Sequence, residues 1–193
     1  MLDYELEANW KVKVENTLES YHVEMVHSKA FSHMPAADVC HEELGFNSSS
    51  FHAVEEAAGK IDRALDHLVH KLAGAEVDLT NSHHIVFPHI MLGKMRLLSW
   101  IETVYPISAT RHRVVLRSFY RPTGAGTVRS GLGYYLLRAY GRNFGRTISG
   151  EDAAVIPEVQ KGLASPVAPS GGLLSIREER LFHFQEYIQR ETV

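Results

Sequence analysis

From His84 to Arg121 the chain reads as a succession of strands, and the last of them decides the class of fold. Within Arg111–Arg121, Arg111, Arg113, Arg117 and Arg121 fall on one side, while Val114, Leu116, Ser118 and Tyr120 fall on the other. Period-two alternation belongs to a strand with one face on a core and one in water, which antiparallel sheets allow. Two further strands are expected at His84–Leu92 and Met95–Ile107, with hairpin connections at Gly93-Lys94 and Ser108-Ala109-Thr110.

Helical patterns stand on either side of these strands. Residues 9–21 set Val12, Val14, Leu18 and Tyr21 among Glu15, Asn16 and Glu19. Residues 31–53, with Pro35, Gly45 and a serine run, predict a loop ending in a strand near Phe46–Val54. A second helix is expected over 56–72, where Ile61, Leu65, Leu68 and Leu72 recur at helical spacing and His67 and His70 take the polar side. A Gly- and Ser-rich linker, 123–133, leads into a helical tract over 134–164, interrupted near Gly150. A last helix follows Ser175, which forms an S-x-x-E capping box with Glu178 ahead of Leu181, Phe184 and Ile188. Strands in the middle and helices at both ends predict α+β architecture with an antiparallel sheet. A long helix lying across a curved sheet leaves a cavity of the kind that holds a small ligand.

Composition narrows the function. The 193 residues suit one domain, and 45% hydrophobic residues are enough for a core. A net charge of −3 offers no basic field for nucleic acid or an anionic membrane. No apolar run approaches the roughly 20 residues of a membrane span, and MLDYELEANW lacks the parts of a signal peptide, so a cytoplasmic protein is expected. Cys40 is the only cysteine, which excludes an internal disulfide, a Cys-rich zinc site and a Cys-ligated iron–sulfur cluster within these residues.

Chemistry concentrates in Glu15-Asn16-Thr17-Leu18-Glu19-Ser20-Tyr21-His22-Val23-Glu24-Met25-Val26-His27. Two imidazoles stand five residues apart, with a carboxylate three residues before the first. Two histidines and one carboxylate on one face of iron(II) leave positions open for dioxygen. A regular helix would turn His22 and His27 about 140° apart. Joint binding therefore requires a break around Val23–Val26, or His27 beyond the helix end. A third protein ligand is still needed, and downstream Ser149-Gly150-Glu151-Asp152 has the spacing of an S-x-x-D helix cap.

The string N-W-K-x-x-x-E-N-x-x-E-x-Y-H-x-x-x-x-H, from Asn9 to His27, resembles the iron-binding signature of Rieske non-haem iron aromatic ring-hydroxylating oxygenases, in the catalytic domain of their alpha subunits. Glu151-Asp152 ahead of Gln160-Lys161-Gly162-Leu163 is similar to the family's acidic pair before Q-x-G-L, and Glu178–Phe184 is similar to its last helix. The resemblance implies a helix-grip fold of the START/Bet v 1 type, with a curved antiparallel sheet wrapped around a long helix. It implies that His22, His27 and Asp152 bind one mononuclear Fe(II), with Glu151 the fallback, and that Glu19 is the carboxylate bridging an inter-subunit electron path. It further implies that O2 hydroxylates a small aromatic substrate once or twice, the second electron coming from a [2Fe–2S] Rieske cluster.

That cluster needs a C-x-H and a C-x-x-H pair, which this sequence lacks. Residues 1–193 are thus expected to be a single catalytic domain, with the Rieske domain on a longer subunit or a partner chain. An NAD(P)H-dependent reductase or ferredoxin and a homotrimeric assembly are implied with it. Pocket candidates are Phe87, Met91, Met95, Leu97 and Trp100, with His83, His84 and His89 as further lining. Three alternatives stand beside this reading. One is a quaternary-ammonium monooxygenase with a cage of Trp100, Tyr105 and Tyr120. The others are a non-catalytic helix-grip ligand-binding domain and a zinc hydrolase.

Overall fold

The computed structural model describes residues 1–27, 40–54, 67, 68, 70, 71, 80–95, 98–120, 128–168, 171, 172, 175 and 178–192. Its seven strands are β1 (Leu2–Leu6), β2 (Cys40–Gly45), β3 (Ser48–Val54), β4 (Thr80–Val86), β5 (Ile90–Met95), β6 (Leu98–Ser108) and β7 (Arg111–Tyr120). They form one antiparallel sheet in the order β1-β7-β6-β5-β4-β3-β2, a meander closed at one edge by the N-terminal strand. Among the described residues, the helices with full bounds are α1 (Trp10–Leu18), α2 (His22–Val26), α3 (Val128–Leu163) and α4 (Glu179–Glu191). The architecture is α+β with an antiparallel sheet, as the alternation in β7 predicts, and it matches the helix-grip arrangement that the resemblance implies.

Register shows which residues share the inner face. His83, Gly93 and Trp100 lie opposite one another on β4, β5 and β6, as do Ile85, Met91 and Glu102 one step along. Ile85, Phe87, Met91 and Val104 pack with Val14 and Leu18 of α1 and Phe184 of α4. A second cluster joins Leu6, Ala8 and Val12 to Ile156 of α3. Helix α1 is thus held between sheet, α3 and α4, and it fixes where the next residues emerge. On the outer face Asp3 receives both Nε and an Nη of Arg113, at 2.7 and 2.6 Å, so the arginine row of β7 meets the acids of β1.

Several local expectations are corrected. The chain turns at Phe87-Pro88-His89, through a cis Phe87–Pro88 peptide bond, and Gly93-Lys94 lies inside β5. The expected strand His84–Leu92 is therefore two strands. Ser108-Ala109-Thr110 does connect β6 to β7. Strand β1 had no sequence expectation, and β2 occupies part of the expected loop, because both are edge strands completed by pairing to β7 and β3. Helix α3 runs unbroken through Gly150 and starts within the expected linker, whose residues 123–127 lie outside the described residues. A continuous helix also removes the cap reading of Ser149–Asp152. The expected helix over 56–72 falls largely outside the described residues, although His67, Leu68, His70 and Lys71 are helical. His70, assigned to the polar side, is instead buried. Helix α4 begins at Glu179, and Ser175 and Glu178 lie before it, the Glu178 carboxylate accepting the Ser175 N–H at 2.8 Å. Among the described residues, no helix is long and apolar enough to cross a membrane.

Candidate metal centre

The centre is built where α1 ends. Asn9 caps its start, accepting the Lys11 N–H at 3.0 Å. The same residue's backbone N–H donates to Gln160 of α3 at 2.7 Å, which ties the two signature segments together. At Glu19 the backbone turns extended (φ −93°, ψ 161°) and the helix stops. After Ser20 and Tyr21 the chain re-enters a helix at His22, whose backbone N–H donates to the Glu19 carboxylate at 3.1 Å. His27 follows the last residue of α2. The geometric objection to H-x4-H is thereby met by the second of the two expected routes. The break lies before His22, not within Val23–Val26, and His27 stands beyond the helix end.

His22, His27 and Asp152 each present a ligand-type atom, and the three atoms lie within 4.8 Å of one another. His22 Nδ1 pairs with the carboxylate of Glu19. His27 Nδ1 lies 2.9 Å from Glu151 Oε2. Each imidazole is thus held by an acid through one nitrogen, which turns Nε2 toward the centre. There, Asp152 Oδ1 is 3.1 Å from Nε2 of His27 and 3.9 Å from Nε2 of His22. Carboxylate–histidine pairs of this kind fix the tautomer and orientation of metal-binding imidazoles. Glu151, the fallback, stands behind His27 instead of beside the cluster.

Asp152 is also bonded away from the histidines. Its Oδ2 accepts from Lys13 Nζ at 3.1 Å and its Oδ1 from Asn16 Nδ2 at 3.3 Å. Lys13 in turn lies 3.1 Å from Glu102 Oε1. Burial alone would raise the Asp152 carboxyl, but the Lys13 charge and the His27 hydrogen bond hold it well below the usual carboxylate range. For Lys13 burial pushes down, while Glu102 and Asp152 win and hold it above its ordinary value. His27 is raised despite burial, through its bonds to Asp152 and Glu151. Asp152 is therefore held ionised by Lys13 and His27.

One row on the inner face flanks this centre. His83 meets Phe51 and Trp100 edge-on, at ring-centroid distances of 6.2 and 5.3 Å, and the guanidinium of Arg180 lies over Phe51 at 5.1 Å. Burial, followed by the Arg180 charge, lowers the His83 pKa to about 3, so the imidazole is neutral. Of the expected pocket residues, Phe87, Met91 and Met95 are buried on this face, and Leu97 lies outside the described residues. Tyr105 is exposed on the outer face, five positions along β6 from Trp100, so these two do not form a cage. His84 also faces outward, ring against His52.

Lys13, Glu102 and Arg180 were without a role in the sequence. Signals existed for the first two: Lys13 sits between two core valines in a short helix, and Glu102 alternates with Trp100 and Val104 on an apolar strand face. Arg180 becomes meaningful only when β2 brings Glu42 to 3.1 Å from its Nε.

The family model described as "Ring hydroxylating alpha subunit (catalytic domain)" matches residues 2–192. A search of curated proteins found no match. Among solved structures, the chain is similar to the quaternary ammonium Rieske monooxygenase CntA in complex with the inhibitor MMV12, at 18% identity and TM-score 0.71, covering 98% of this chain and 48% of that one. Dicamba monooxygenase bound to dicamba gives 14% identity and TM-score 0.67, over 98% and 58%. Naphthalene 1,2-dioxygenase from Rhodococcus sp., bound to indole, gives 15% identity and TM-score 0.65, over 98% and 54%. At these identities the likeness concerns the fold, and the chain spans about half the length of these proteins.

Proposed function

The chain belongs to the family of ring-hydroxylating alpha subunits, as their catalytic domain, and on that premise we propose that it is an oxygenase domain binding one ferrous ion through His22, His27 and Asp152. The observation supporting this is the donor set: two imidazoles and a carboxylate within 4.8 Å, each imidazole held from behind by an acid. Such a set suits iron(II) and leaves positions open for dioxygen. When bound, the iron supplies O2 activation, with a second electron from a Rieske [2Fe–2S] cluster carried outside these 193 residues.

The chain's own residues do the rest. His22 and His27 offer Nε2 because Glu19 and Glu151 accept the protons on Nδ1. Asp152, kept ionised, offers an oxygen. Phe51, His83 and Trp100 form an apolar wall with one neutral imidazole, suited to a small aromatic substrate that leaves hydroxylated. Glu19 is also the proposed link to a cluster-bearing neighbour in a homotrimer, with an NAD(P)H-dependent reductase or ferredoxin as the electron source. A quaternary ammonium substrate lacks the Trp100–Tyr105 cage that would favour it.

Metal analysis of the purified chain, with His22→Ala, His27→Ala and Asp152→Ala beside it, tests this reading. One iron per chain is expected in the parent, with little left in each variant while the circular dichroism stays native. Zinc in the parent with no response to dioxygen would indicate a hydrolase, and a metal-free parent a ligand-binding domain. Full iron in the histidine variants would refute the assignment.

A further inference from the structure

Asp152 has two oxygens, and they are held differently. Oδ1 faces Nε2 of His27 at 3.1 Å and accepts a longer bond from Asn16 Nδ2 at 3.3 Å, whereas Oδ2 accepts from the Lys13 ammonium at 3.1 Å. Lys13 is only 4% exposed. Burying an ammonium is costly unless it is paired on the spot. Its two anions, Asp152 and Glu102, come from α3 and from the inner face of β6, so the ammonium is fixed from two separate elements. The charge count shows what this arrangement is for. Lys13 carries one positive charge between two carboxylates 3.1 Å away, so the three groups together keep one net negative charge beside the histidines. Helix capping plays no part, since Asp152 lies within the uninterrupted α3.

We propose that Lys13, backed by Glu102, is the positioning residue of the centre: it occupies Oδ2 of Asp152, so that the carboxylate offers the metal Oδ1 alone. A one-oxygen carboxylate takes a single coordination position, and one more stays open than with a chelating one. The inference rests on the metal-binding reading above, deepens it, and concerns residues that do not touch the metal.

Electrostatics makes the test decisive. Lys13 repels any cation bound to Asp152, so removing its charge alone would tighten metal binding, whereas loss of positioning loosens it. Lys13→Met by itself strands Glu102 as a buried unpaired acid, and such variants often fail to fold. The double variant Lys13→Met with Glu102→Met removes one charge of each sign and leaves the net charge unchanged. With the full chain, ferrous affinity is measured by chelator competition, the visible spectrum is recorded with cobalt(II), and the metal-free melting curve serves as the folding control. The double variant is expected to melt cooperatively and to lose about 10–100-fold in ferrous affinity, as loss of an orienting partner does. Its cobalt bands should weaken as the freed Oδ2 joins the coordination sphere. Unchanged affinity together with an unchanged cobalt spectrum overturns the role of Lys13 while leaving the metal site standing. A parent chain that takes up neither metal removes the site and this inference together.

Discussion

Gly93 shows how much a single residue does on the inner face. A β-carbon placed there would come within 2.1 Å of the Trp100 ring. The absence of a side chain lets the indole lie across β5 and reach His83 on the next strand. Gly93→Ala should therefore cost about 1–3 kcal/mol through overpacking, read as a drop in urea midpoint with a change in tryptophan fluorescence. The same substitution in a Trp100→Ala background should cost far less, since the clash has gone. Equal costs in the two backgrounds would show that the ring does not depend on the glycine.

His83 makes a second residue-scale statement. Its folded-state pKa of about 3 lies below the ordinary 6.5, so the folded chain binds fewer protons than the unfolded one between those values. This contribution is intact above pH 6.5 and is lost as pH falls from there toward 3, at up to about 1.4 kcal/mol per pH unit. His112, buried and also lowered, adds in the same direction. Urea midpoints measured down the acid range should fall less steeply for His83→Gln than for the parent. Parallel curves would mean that His83 is already solvated.

At the scale of elements, legibility followed how local the cause was. The alternation in β7 and the α1 pattern depend on neighbours in sequence, and both could be read directly, although the helix expected over 9–21 stops at Leu18 and leaves Tyr21 exposed. The turn at Phe87-Pro88-His89 was hidden by an apolar run, although a proline inside a strand pattern was a signal against continuity. Continuity of α3 through Gly150 depends on tertiary packing of Asp152 and Ile156, which outweighs the roughly 1 kcal/mol that a helical glycine costs. The meeting of His22, His27 and Asp152 was legible from the signature and the later acidic pair, and their ligand-type atoms do lie within 4.8 Å, but the break at Glu19–Tyr21 and the Lys13–Glu102 support required α1, β6 and α3 to be in place. Helix α4 has its own test. Phe184 is fully buried and packs against Trp10 at 6.0 Å and Phe87 at 5.3 Å. Phe184→Ala should cost about 3–5 kcal/mol, seen in thermal melts, and a loss under 1 kcal/mol would show that α4 is not integral to the core.

At the scale of the whole molecule, the proposed division of labour follows from what these residues can ligate. A Rieske cluster needs two cysteines and two histidines, and Cys40 is the only cysteine in these residues. The sequence also lacks a G-x-G-x-x-G fingerprint through which a nicotinamide could deliver electrons directly. The proposed site, by contrast, is complete within the chain, so metal binding and electron supply should separate cleanly. The iron-loaded 193-residue chain, given a candidate aromatic and NADH, should form no product over many turnovers, because its sequence has neither the cysteines of a Rieske cluster nor that nucleotide fingerprint. Adding a Rieske protein and its reductase, or supplying hydrogen peroxide for one turnover, should yield hydroxylated product by mass spectrometry. Glu19→Gln should retain the iron and the peroxide-driven turnover yet lose the donor-driven one, since its acid is proposed to connect His22 to the cluster. Sustained NADH-coupled hydroxylation by the chain alone would overturn the need for an external cluster. Donor-driven activity at the parent level in Glu19→Gln would instead leave that acid with only the task of orienting His22.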